Sequence, residues 1–202
     1  MKLYTAAAPN PFRVNTFIRE KGITIPTERL DIMAGDTLKP DFLKLNSLHE
    51  LPVLQLDDGT YLTESLAICR YLEALYPETP LFGTTPLETA RIEMWNRRME
   101  LQIFGPSGVI GLHLIPFFAE KIEQMPSYAE AQKRQLAQNW TWLDSELSDG
   151  RTYLADDAYS VADITGMAAL MVGGFLGMDI PSGLEHVSRW EQAVRPRMVM
   201  EG

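Results

Sequence analysis

Leu51-Pro52-Val53-Leu54 is followed, twelve residues after its proline, by Glu64-Ser65. Val53 and Leu54 open a β-rich run, Asp58-Gly59 marks a tight turn, and Tyr61-Leu62-Thr63 returns as a second strand. Glu64-Ser65 then heads the helical pattern Leu66-Ala67-Ile68-Cys69-Arg70-Tyr71-Leu72. A proline at the head of a strand forfeits a ladder hydrogen bond and limits where that strand pairs. With a cis bond before Pro52, the backbone of Leu51 turns outward and can pair with an extended peptide. Ser65 at a helix start offers a hydroxyl, an amide and the positive end of the helix dipole to a carboxylate. These residues read as a grip for a small acidic peptide, or as a plain hairpin feeding a capped helix in some other α/β domain.

Working outward, Lys2 to Thr5 forms a short strand, and Asn10-Pro11-Phe12-Arg13-Val14 opens a helix with Val14, Phe17 and Ile18 on one face. Gly22 stops that helix. Thr27 to Ile32 reads as a second strand, parallel to the first, and Asp36 to Asn46 as a short helix. With the hairpin and the helix from Glu64 to about Leu75, the order is βαβ-α-ββα, an α/β domain of thioredoxin-like pattern over residues 1–76. Pro77, Pro80, Gly83 and Pro86 cannot continue a helix, so 77–86 reads as a linker. From 87 to 202 the helical period dominates and an all-α domain is expected. Leu136, Trp140, Leu143 and Leu147 form a narrow apolar stripe, while Gly105-Pro106, Gly108, Gly111 and Pro116 interrupt the run from Leu87 to about Lys121, as one long helix or two.

Composition narrows the function. The 202 residues are 46% hydrophobic, enough for one large domain or two small ones. A formal net charge of −9 and a pI near 4.8 argue against nucleic acid or an anionic membrane as partner, and require a local positive patch for any anionic ligand. The single cysteine, Cys69, cannot form a disulfide within one chain. Met1-Lys2-Leu3-Tyr4 opens without a long apolar stretch and no run approaches a membrane span, so a reducing cytoplasm is expected. Three histidines and one cysteine without ligand-type spacing give a metal site little support.

The Leu51-Pro52 and Glu64-Ser65 pair resembles the glutathione site of the glutathione S-transferase superfamily. The resemblance implies that the residue before the cis-proline pairs with the cysteinyl part of glutathione, and that Glu64 and Ser65 hold its γ-glutamyl end. It covers essentially the whole chain. Tyr159-Ser160-Val161-Ala162-Asp163-Ile164 is similar to the Ser-x-x-Asp box at the start of a core helix in that superfamily. Ser160 sits at an N-cap and Asp163 at N3, a short variant of the capping box, so both read as folding elements.

The chemical requirement is a group that stabilises the glutathione thiolate, since a free thiol has a pKa near ~8.5. Tyr4-Thr5-Ala6-Ala7-Ala8-Pro9-Asn10-Pro11-Phe12-Arg13-Val14 resembles bacterial members, the Nu class among them, that read Thr-Pro-Asn or Ser-Pro-Asn. Ala8 stands where those have a hydroxyl. Asn10 is therefore the catalytic candidate, its amide donating to the sulfur, although Asn before Pro is equally an ordinary N-cap. Arg13 and Phe12 would support the thiolate, Arg13 by positive potential unless it lies on a solvated face. Tyr4 and Thr5 are fallback donors.

At the glycine end relatives read Asn-Pro-x-Gly-x-Val-Pro, where this chain has Asn46-Ser47-Leu48-His49-Glu50-Leu51-Pro52. Glu50 places a negative charge near an expected carboxylate, and His49, in the glycine's place, supplies a compensating donor when charged. A position facing water is the alternative for both, and Lys39 is another cation for that end. Phe104, His113 and Phe117 would line an apolar co-substrate pocket if the glycine-rich break faces the first domain, and otherwise belong to the bundle with His113 at its rim. Cys69 reads as an inert structural thiol. The resemblance implies a homodimeric transferase using glutathione as co-substrate, with no metal, attacking an electrophile or peroxide. Glutathione-dependent disulfide reduction and a non-catalytic binding or regulatory role on the same fold are the alternatives, kept open by Ala8 and Glu50.

Overall fold

The computed structural model describes residues 1–199, which divide into two units: Met1–Pro80 together with Val199, and Leu81–Met198. In the first unit the order is β1 (Lys2–Thr5), α1 (Pro9–Glu20), β2 (Thr27–Arg29), α2 (Pro40–Leu43), β3 (Val53–Gln55), β4 (Tyr61–Leu62) and α3 (Ser65–Leu75). The sheet runs β2-β1-β3-β4, with β1 and β2 parallel and the other neighbours antiparallel. This is the thioredoxin-like βαβ-α-ββα arrangement. In the β3–β4 turn Gly59 takes φ +85° and Asp58 Oδ1 accepts the Thr60 amide at 2.8 Å.

Two elements are shorter than expected. β2 pairs with β1 over Thr27–Arg29 alone, because β1 ends at Thr5 and its partner runs out. Asp31 Oδ1 then takes the amides of Met33 and Ala34 at 2.9 and 3.0 Å, turning the chain before Ile32 can extend the strand. The helix expected from Asp36 to Asn46 is a 3-10 turn, Asp36–Leu38, followed by α2. Pro40 forces Lys39 into extended backbone, φ −66° and ψ 143°, which breaks the helix between them. At the end of α1 the left-handed Gly22 (φ +67°) lets the Ile23 amide reach the Ile18 carbonyl at 3.2 Å and its own amide reach Arg19 at 2.9 Å, closing the helix.

The second unit is helical: α4 (Pro86–Met99), α5 (Gly105–Leu114), α6 (Pro126–Glu146), α7 (Val161–Leu176) and α8 (Glu185–Val194). Thr85 and Glu88 form a capping box at the start of α4. α4 and α5 are one continuous helical run joined by a π turn, Glu100–Phe104, in which the Gly105 amide bonds back to the Glu100 carbonyl. A Cβ on Gly105 would stand 3.0 Å from that oxygen, so glycine fits the wide turn. Pro106 has no N–H to give the Gln102 carbonyl, and the buried Asn139 side chain of α6 donates to it instead at 2.7 Å. The stripe Leu136, Trp140, Leu143 and Leu147 is buried as the spacing predicts.

At the start of α7 the buried Asp163 accepts four hydrogen bonds. Oδ2 takes the Ser160 amide at 2.9 Å and its hydroxyl at 3.1 Å, and Oδ1 takes the Leu154 amide and the Trp190 indole N–H, each at 2.9 Å. Burial pushes its carboxyl above the ordinary range against the pull of those donors. The stretch 77–86, expected as a linker, is shared out: the carbonyls of Glu78 and Thr79 accept from Lys21 Nζ at 3.1 Å each, whereas Leu81 gives its carbonyl to the Val161 amide at 3.0 Å.

Candidate active site

One cleft in the first unit is lined by Asn10, Asn46, Glu50, Leu51, Pro52, Glu64 and Ser65. Three pieces of chain meet there: the first turn of α1, the segment 46–52 and the start of α3. Pro9 sets the first of them. Its fixed φ suits the first helical position and holds Ala8 extended (φ −147°, ψ 158°), so Ala8 is the N-cap. Asn10, expected as an alternative N-cap, is instead inside the first turn, and its side chain is free of that duty. Its Oδ1 accepts from Ser65 Oγ at 3.4 Å.

Arg13 is three residues further, on the same face of α1. A solvated position was one expectation for it; instead the side chain is buried, 1% exposed, because α1 packs against α3. Its Nη1 donates to Ser65 Oγ at 3.1 Å. The polar order is therefore Arg13 to Ser65 to Asn10, with one hydrogen passed at each step. Phe12 is buried and off the cleft's lining, so its support for the site is packing.

Neither fallback donor is on this lining. The Tyr4 hydroxyl donates to Gln55 Oε1 at 3.2 Å, and its ring lines a separate cleft with Glu28, Arg29, Asp36 and Lys39. Thr5 is buried and exchanges hydrogen bonds with Asn15. Lys39 likewise belongs to that second cleft, with Nζ 2.6 Å from Asp36 Oδ1.

The segment 46–52 carries the cis Leu51-Pro52 peptide bond. Asn46 builds the approach to it: Oδ1 accepts the Leu48 amide at 3.0 Å and Nδ2 donates to the Glu50 carbonyl at 2.9 Å. Sequence reasoning did not single out Asn46; its place at the head of the Asn-x-x-x-x-x-Pro spacing was the available signal. His49 has φ +60°, which explains why glycine suits this position in relatives. Its Nδ1 donates to the Thr37 carbonyl at 3.1 Å, so the other ring nitrogen donates only when the imidazole is charged. His49 is not on the cleft's lining, whereas Glu50 is.

Glu64 has φ +62° and ψ 112°, a sparsely populated conformation that sets its carboxylate beside Ser65 on the cleft. The lining thus holds two carboxylates, with a guanidinium beneath Ser65. Such an order accepts a zwitterion: an ammonium against a carboxylate, and a carboxylate against the serine hydroxyl and the first amides of α3. Cys69, one turn into α3 from Ser65, is wholly buried, and burial pushes its thiol to about 12 while the Arg13 charge opposes the shift. It is not the nucleophile.

The three residues expected at an apolar pocket belong to the second unit. Phe104 and His113 are nine positions apart on the α5 run, so they start about 13 Å apart and half a turn round from each other. His113 Nδ1 accepts the Met125 amide at 3.0 Å and its ring meets Tyr128 edge-on, which makes it a structural tie. Phe117 lies in the following 3-10 turn, edge-on to Phe118. Among the described residues no group of three or more His, Cys, Asp or Glu is placed to hold a metal ion, and no helix is long and apolar enough to cross a membrane.

Residues 7–75 match the family model of the glutathione S-transferase N-terminal domain, and residues 109–197 that of the C-terminal domain. Glutathione S-transferase 2 of Saccharomyces cerevisiae is 33% identical over 197 residues, covering 96% of this chain and 84% of the relative. The crystal structure of Gtt2 from the same yeast superposes with a TM-score of 0.87 at 33% identity, covering 98% of each chain. A glutathione S-transferase domain-containing protein of Marinobacter aquaeolei gives 0.89 at 33% identity, over 98% of this chain and all of that one. The cleft at Pro52 and Ser65, the thioredoxin-like unit that builds it and these matches over both halves lead to one conclusion: the chain belongs to the glutathione S-transferase family.

Proposed function

We propose that this transferase binds glutathione in the cleft between the first turn of α1, segment 46–52 and Ser65, and uses its thiolate on a small apolar electrophile or peroxide. The observation that carries the reading is the meeting of Asn10, Leu51, Pro52, Glu64 and Ser65 on one cleft. The γ-glutamyl ammonium pairs with Glu64, and its carboxylate takes the Ser65 hydroxyl and the amides of α3. Asn10 Oδ1 is already an acceptor for Ser65, so the NH₂ group is the part that remains to donate to the sulfur anion. Glu50, on the lining, lowers the affinity at the glycine end.

A second reading has its own observation. With Cys69 buried and its thiol held at about 12, the thiol that exchanges with a disulfide is that of bound glutathione. The protein is further proposed to be a homodimer of a reducing cytoplasm, in keeping with its family and its one buried cysteine. A non-catalytic binding role is the outcome if turnover is absent.

The test is calorimetric titration with reduced glutathione at neutral pH and low salt, followed by turnover with electrophiles and disulfides. Micromolar to low-millimolar binding that Ser65→Ala abolishes supports the site, and Asn10→Ala then lowers turnover by about 10²-fold. No binding by the unaltered protein overturns the reading.

A further inference from the structure

Beyond the groups on the cleft's wall, Arg13 lies behind it. A buried guanidinium is rare unless its donors are used, because taking it out of water is costly. Here one donor goes to a residue of the cleft: Arg13 Nη1 is 3.1 Å from Ser65 Oγ. A serine hydroxyl has one hydrogen, and a donor seated on its oxygen fixes the direction in which that hydrogen leaves. In this structure it leaves toward Asn10 Oδ1 at 3.4 Å, a long contact that a ligand carboxylate displaces at little cost.

We infer that Arg13 is a positioning residue that makes Ser65 a charge-backed donor to the α-carboxylate of the γ-glutamyl group, recognising that carboxylate through the hydroxyl without touching it. This rests on the proposed glutathione site. The cleft's own lining contains two acids and no lysine or arginine, so the positive potential demanded by an anion in a protein of net charge −9 comes from behind the wall. A guanidinium acting through a polarised hydroxyl keeps its charge out of reach of the second ligand end, which Glu50 already faces. Ser65 then discriminates between ligands by whether they present a carboxylate, while the rest of the cleft holds the peptide.

The experiment exchanges the ligand as well as the protein. Glutathione and the analogue lacking the γ-glutamyl α-carboxylate (4-aminobutanoyl-cysteinyl-glycine) are titrated into the unaltered protein, Arg13→Lys, Arg13→Ala and Ser65→Ala, each first shown folded by its far-ultraviolet dichroism and melting temperature. The expected result is at least a tenfold preference for glutathione in the unaltered protein, reduced to within about twofold in Arg13→Ala and Ser65→Ala, with the analogue's affinity unchanged. Arg13→Lys restores part of the preference. If Arg13→Ala does not fold, the lysine variant decides: a preference undiminished from that of the unaltered protein overturns the inference. Equal loss of affinity for both ligands in any folded Arg13 variant, the signature of a scaffold defect, also overturns it. Absence of glutathione binding by the unaltered protein overturns the site reading and this inference together, whereas binding with an Arg13-independent preference overturns the inference alone.

Discussion

A β-carbon built on Gly166 would stand 2.6 Å from Cζ2 and 2.7 Å from Cη2 of Trp190. The indole is completely buried and held at its other end by Asp163, so it cannot step aside. Gly166→Ala gains helix propensity of about 1 kcal/mol, but overpacking against a rigid ring costs typically 1–3 kcal/mol and wins. Urea unfolding should show Gly166→Ala destabilised, whereas adding it to Trp190→Phe, which removes the colliding atoms, should cost nothing further.

Asp163→Asn tests the hub on the other side of that indole. Four donors converge on two carboxylate oxygens, and an amide supplies one oxygen and one NH₂. The NH₂ faces donors and leaves two of them without an acceptor, a loss of about 2–6 kcal/mol at roughly 1–3 kcal/mol for each orphaned group. Chemical denaturation at pH 7 measures it. A variant as stable as the parent would show that the capping box is dispensable.

Cys69 predicts a slope with pH. In the folded state its thiol titrates at about 12, and in the unfolded chain near 8.5–9. Between those values the folded protein binds one more proton, so stability falls as pH rises, by about 1.4 kcal/mol for each pH unit. Comparing the parent with Cys69→Ala from pH 8 to 11 isolates this slope, which the alanine variant lacks. The native parent should also resist iodoacetamide at pH 8 and react once unfolded.

Glu64 exchanges stability for placement. Its φ of +62° is a conformation that costs a side-chain-bearing residue about 1–3 kcal/mol, and glycine adopts it freely. Glu64→Gly should melt at a higher temperature than the parent, even after glycine's entropic penalty of about 0.5–1 kcal/mol, and bind glutathione more weakly. Greater stability with unchanged binding would remove Glu64 from the site.

Much of this was legible in the residues themselves. The hairpin around Asp58-Gly59, the Leu51-Pro52 entry and the buried stripe on α6 follow from turn chemistry and period. Arg13 was not legible, because no local pattern tells a guanidinium facing water from one facing Ser65 fifty-two positions away; that depends on the packing of α1 on α3. Neither was Asn139, whose purpose appears once Pro106 leaves the Gln102 carbonyl without its helical donor. Asn10 shows a boundary error of a familiar kind: Pro9 moved the helix start upstream and released the side chain from capping. The pairing of Tyr4 with Gln55, and of Lys39 with Asp36, likewise rests on which strands and turns become neighbours.

Lys21 gives the proline-rich connection a meaning of its own. Its ammonium is shut away from water between Glu73, at 2.5 Å, and the carbonyls of Glu78 and Thr79, while two residues later Leu81 is already tied to Val161. Between these two ties lies Pro80 alone. For anyone grafting one half of this chain onto a relative, the seam is a single residue wide: a junction cut earlier separates Lys21 from the carbonyls it binds, and one cut later separates the Val161 amide, at the start of α7, from the Leu81 carbonyl.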